Sequence, residues 1–134
     1  MTVKKTTFSW SCSIGAILGF LGVLAGAFGA HALKPGLIER GMLEVWQTAV
    51  LFHLLHAIAL CALGWTVSPS RRTSRAGLIA TSWTLGILLF SGSLYLLALG
   101  GPRLLGPVTP IGGLFLLSGW ALAVFLRPAT RTAS

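Results

Sequence analysis

The chain contains no aspartate, and its only carboxylates are Glu39 and Glu44, both in or beside one short segment between apolar runs. Acid/base chemistry by a carboxylate pair inside a protein needs two such groups converging on a substrate, and the sequence does not supply them. It also lacks the HExxH zinc-peptidase motif, the GxSxG nucleophile elbow and the phosphate-cradling P-loop. Ser93 and His56 could in principle approach each other as nucleophile and base, but depth in a helix does not by itself bring them together. The chain is therefore expected not to be an enzyme.

Cysteine is scarce as well. Cys12 and Cys61 form no recognisable metal motif and read as small packing residues on the reducing side of a membrane. Charge is the third shortage: 9% of the 134 residues are charged, 54% are hydrophobic, and the mean hydropathy is +0.86. A soluble domain needs more polar surface than that.

What is present is a set of long apolar runs, near 10–32, 45–67, 76–99 and 109–126, each able to cross about 30 Å of hydrocarbon at 1.5 Å per residue. They alternate with short segments rich in charge and breakers, "KPGLIERGMLE", "SPSRRTSR" and "GGPRLLGPV", which read as loops. Continuous apolar runs without strict alternation argue for helices, so the expected fold is all-α: a single integral membrane domain over 1–134, four transmembrane helices in a compact bundle. Thr109 before Pro110 reads as an N-cap opening the fourth helix.

Lys4, Lys5, Arg71, Arg72, Arg75, Arg127 and Arg131 fall on one side of such a bundle, and Lys34, Arg40 and Arg103 on the other. The positive-inside rule then places both termini in the cytoplasm. Trp10, Trp46 and Trp65 fall near the expected interfaces, where amphipathic rings are favoured. The net charge of +8 and pI near 11.3 do not imply a nucleic-acid partner, because the charges sit in juxtamembrane loops and tails that suit anionic lipid headgroups. Lys4 and Lys5 before an apolar stretch, with "AHA" at 30–32, resemble a signal peptide. The run is longer than such a segment needs, and is expected to be an uncleaved first helix.

Gly15, Gly19, Gly22, Gly26 and Gly29 recur at spacings of 4, 3, 4 and 3, one stripe along the first helix where another backbone can approach. The approach serves a contact within the chain or between chains equally well. Gly22→Leu or Gly26→Leu is accordingly expected to disturb assembly more than His53→Ala.

The intramembrane polar residues are the remaining candidates for function. His53 and His56, spaced i, i+3 on one face of the second helix, share the outer half of the membrane with His31, Ser91, Ser93, Tyr95 and Thr109. A structural hydrogen-bond network is the favoured reading of that cluster, and a ligand, haem, metal or proton-transfer site is the alternative. Haem would need one histidine from the second helix and one from elsewhere, such as His31, because axial ligands lie on opposite faces of the ring. A metal would lack cysteine or carboxylate at that depth. No metal or other cofactor is expected. A transporter, suggested by breaks near Pro110 and Gly112–Gly113, would have little room for alternating access in four short helices without an internal repeat.

The strings "GAFGAHALK", "WQTAVLFHLLHAIAL", "GILLFSGSLYLLAL" and "TPIGGLFLLSGW" occur in order over roughly residues 15–120. Together they resemble the small four-helix inner-membrane family called domain of unknown function 423, whose eukaryotic branch is known as transmembrane protein 256. The resemblance implies four transmembrane helices and brings no established activity. Its pattern covers Gly26, Phe28, Gly29, Ala30 and His31, then His56, then Ser91 to Tyr95, then Thr109, Pro110, Gly112 and Gly113. Where the family often carries tyrosine, around Phe52 and Leu55, this chain is apolar, which removes hydroxyl partners from any proton wire there. The resulting expectation is a small polytopic membrane protein acting through helix packing, as a homo-oligomer or as an accessory subunit of a larger membrane complex.

Overall fold

The computed structural model describes residues 10–66 and 74–125. Of the charges used for orientation, Lys4, Lys5, Arg71, Arg72, Arg127 and Arg131 lie outside the described residues. Within them the chain is all helical, with four segments long and apolar enough to cross a membrane. The first is α1, Trp10–Ala30, and the second is α3, Leu43–Thr66. The third runs through α4, Ser74–Gly86, a π-helical turn at Ile87–Ser91, and α5, Gly92–Ala98. The fourth is α6, Val108–Val124, preceded by a 3₁₀ turn at Arg103–Leu105.

Packing is serial: α1 lies on α3, α3 on the third span, and the third span on α6, with no more than marginal contact between α1 and α6. The last span is accordingly the most peripheral, 17% buried against 39% for the third.

Glycine decides where these helices touch. A Cβ on Gly15 would lie 2.8 Å from the Ala57 carbonyl oxygen and the Cys61 nitrogen, and one on Gly29 would collide with the Trp46 indole. One on Gly22 would meet Leu54 at 2.7 Å, whereas Gly19 and Gly26 have nothing nearer than 3.9 and 3.4 Å. The stripe thus has an edge, Gly15, Gly22 and Gly29, that admits α3 within the chain, and a second edge that leaves room beside it. Cys12 and Cys61 are free and meet at the same crossing, the Cys61 thiol 3.6 Å from the Cys12 carbonyl.

The same device brings α6 against the third span. A Cβ on Gly112 would run into the Phe90 backbone, and those on Gly86 and Gly119 into Leu116 and Trp83. The contact at Phe90 falls within the π turn, a widened stretch of helix of the kind often found at close helix contacts and functional sites.

The first loop is more ordered than its breakers suggest. Lys34–Glu39 forms a helical turn, α2, with proline in its first turn, and Leu37 is wholly buried beside Trp46 and Ala98. Gly41, at φ +65°, ends it with Schellman-type bonds from Gly41 to Ile38 and from Met42 to Leu37. Gly100, at φ +91°, ends α5 in the same way.

Two arginines finish helix ends on opposite sides of the bundle. Arg40 Nε donates to the Ala98 carbonyl at 3.1 Å, and Arg75 Nη1 to the Phe125 carbonyl at 2.9 Å. Each supplies a cation and a donor to carbonyls that a helix C-terminus leaves without partners. Arg40→Ala is expected to cost about 1 kcal/mol and to speed hydrogen exchange at Gly100 and Gly101, the amides that close the α5 end. Unchanged exchange there would show that the arginine contributes nothing to the cap.

Candidate functional site

α3 is about 36 Å long at 1.5 Å per residue, and His53 and His56 flank its midpoint. Both rings are buried, at 6% and 4% exposure, and they point to different neighbours.

His56 faces the third and fourth spans. Its Nδ1 lies 2.8 Å from the Phe52 carbonyl, which can only accept, so Nδ1 carries the proton. Its Nε2 is left to accept the indole N–H of Trp120 at 3.0 Å, which can only donate. Both nitrogens are therefore engaged in the neutral ring. The ring stacks on Phe52 and meets Trp83 and Trp120 edge-on, with the two indoles 4.9 Å apart. Gly119 makes this possible, because any side chain there would displace Trp83.

His53 faces α1 and α5. Its Nδ1 is 3.2 Å from the Tyr95 hydroxyl, and its Nε2 is buried without a hydrogen-bond partner; the Leu18 carbonyl of α1 lies within electrostatic reach but closes no bond of ordinary geometry. Tyr95 in turn packs on Trp46, whose indole donates to the Ala25 carbonyl at 3.0 Å. Trp46 is thus a buried strut between α1, α3 and α5 and not the interfacial ring its place near the end of the run suggests. Gly29 leaves the space that draws it inward.

A third polar contact joins Ser93 to Thr109. Their hydroxyls are 2.7 Å apart, and Ser93 Oγ also lies 3.0 Å from the Phe90 carbonyl. Thr109 therefore ties α6 to α5 and is not an N-cap: α6 begins at Val108, with Pro107 in the cap position and no side-chain cap bond. Ser91, wholly buried in the π turn, and Trp83 Nε1 have no hydrogen-bond partner.

Of the residues selected from sequence, the fold brings His53 to Tyr95 and Ser93 to Thr109, and it keeps His53 and His56 on separate partners. His31 is exposed in the turn that follows α1, away from both. No two imidazoles converge, and among the described residues no group of three His, Cys, Asp or Glu side chains is placed to hold a metal ion. His56 offers no free lone pair, and the one buried imidazole nitrogen without a partner, on His53, faces a neighbouring helix. Trp83 and Trp120 were not selected from sequence. Their connection to His56 spans 27 and 64 residues, and no local spacing in the sequence signals it.

Four apolar helices with a polar interior of histidine, tryptophan and hydroxyl contacts define a small polytopic membrane protein. Residues 25–113 match the family described as Protein of unknown function (DUF423), and the chain belongs to that family. It is 45% identical over 114 residues to the UPF0382 inner membrane protein YgdD of Escherichia coli K12, covering 80% of each chain. It is 40% identical over 114 residues to the UPF0382 membrane protein YwdK of Bacillus subtilis, covering 83% of this chain and 89% of the other. A UPF0382 membrane protein of Staphylococcus haemolyticus is 39% identical over 113 residues, covering 83% and 88%. No solved structure matches the chain.

Proposed function

We propose that the protein is a non-enzymatic accessory module of the bacterial inner membrane, with both termini cytoplasmic, working through helix contacts in the plane of the bilayer. It does so within an assembly of its own copies or as a subunit of a larger complex. One observation carries this reading: the mid-membrane polar groups are largely matched inside the chain, His56 at both nitrogens, while the outward faces are apolar. Ile17, Phe20 and Val23 on α1 and Ile111, Leu114 and Leu117 on α6 are all at least half exposed. With Glu44, in the first turn of α3, the one carboxylate in the described spans, and no converging set of reactive groups there, contact is what this surface has to offer.

The test is cross-linking in the native membrane followed by native mass spectrometry of the gently extracted protein. A species of fixed stoichiometry larger than the single chain is the expected result, and a lone chain under both treatments overturns the proposal. A second reading, a ligand site at His53, is favoured by its unmatched Nε2. A bound small molecule, a Soret band or stoichiometric metal in the same sample would move the assignment there.

A further inference from the structure

Beside the upper half of the α1–α3 contact lies an open groove of about 370 Å³. Gly26, Gly29 and Ala30 of α1 form one side, and α3 from Leu43 to Leu54 forms the other. Lys34 and Gln47 stand at its loop end, and both are exposed. We infer that this groove is a binding site for one anionic phospholipid, the phosphate at Lys34 and Gln47 and an acyl chain laid along the glycines.

Two features select that occupant. From Leu43 to Leu54 the wall runs about 16 Å, about the depth of one leaflet of a 30 Å hydrocarbon core, and a separate apolar opening of about 280 Å³ lies further along the same seam beside Gly15 and Gly19. The first feature is polarity, which is graded along the axis from a cation and an amide at the rim to leucine at the inner end. The second is charge sign. The groove wall includes Lys34 and no carboxylate, and a second copy docked symmetrically would bring two Lys34 ammonium groups towards each other. A lysine beside an anionic lipid surface contributes about 1 kcal/mol.

This inference does not depend on the accessory-module reading, and its test uses the isolated chain. The purified full-length protein is incubated with equimolar phosphatidylglycerol and phosphatidylcholine, and the lipids retained are counted by native mass spectrometry. One phosphatidylglycerol per chain is expected, preferred by roughly fivefold, the equivalent of about 1 kcal/mol. Lys34→Gln should abolish the preference, and Ala30→Leu should prevent retention of either lipid by filling the groove. Both positions are exposed, so neither change disturbs the helix contacts, and circular dichroism verifies the fold. Equal retention of the two lipids, undiminished retention by Ala30→Leu, or a second chain held in place of lipid would each overturn the site.

Discussion

Gly112→Ala is expected to break the contact between the third span and α6, while Gly113→Ala, one residue along, leaves it intact. The added methyl at 112 would occupy the position of the Phe90 backbone, which has no rotamer to move aside. The methyl at 113 would sit 3.6 Å from the edge of the Phe90 ring, an ordinary contact. Overpacking of a rigid site costs typically 1–3 kcal/mol and sometimes more, and a backbone obstacle places Gly112→Ala at about 3 kcal/mol or beyond. Gly113→Ala gains helix propensity and should fall within about 1 kcal/mol of the parent, on either side. Thermal unfolding in detergent, read by circular dichroism, measures both. Equal losses would mean that the two spans are not held together at Phe90.

His56→Ala is expected to be the most damaging change among the histidines, lowering stability by about 3 kcal/mol, because it empties a space walled by Phe52, Trp83 and Trp120. His56→Phe separates packing from hydrogen bonding. It keeps a ring and strands the Trp120 N–H, for a loss of about 1–2 kcal/mol and a change in indole emission. His53→Phe gives up one bond to Tyr95 and also removes an unmatched nitrogen, so a loss under about 1 kcal/mol is expected. If His53→Phe proved the more damaging, the unmatched nitrogen would have a role that the polar interior does not reveal.

Much of this architecture is legible from sequence because hydropathy, spacing and loop chemistry are local. The runs mark the spans, and the 4-3-4-3 recurrence marks a face of α1 that a neighbour can approach. What spacing cannot report is which glycines the neighbour touches. Gly15, Gly22 and Gly29 recur every seven residues and meet α3, while Gly19 and Gly26 fall just to one side, a distinction set by the crossing angle of two helices. Depth along the helices puts Ser93 and Thr109 in one layer, and their hydroxyls do meet. Depth alone puts His31 there too, and the turn after α1 carries that ring outside. Trp120 as the partner of His56 was illegible for a similar reason: depth is a single coordinate, and which helices are neighbours is decided by small residues such as Gly119 that admit an indole. The order within the first loop was hidden by its breakers, since the pattern that marks a loop, Lys-Pro-Gly, also starts α2.

The neighbour-to-neighbour packing of the spans has a consequence for biosynthesis. Each helix rests mainly on the one made just before it, so a chain leaving the ribosome has a docking surface ready for every segment as it emerges. Nothing must wait for the far end of the chain, and little loop-closure entropy opposes assembly. A nascent chain stopped after Thr66 would already hold the α1–α3 hairpin, with the glycine contacts and the Trp46 strut to Ala25 in place.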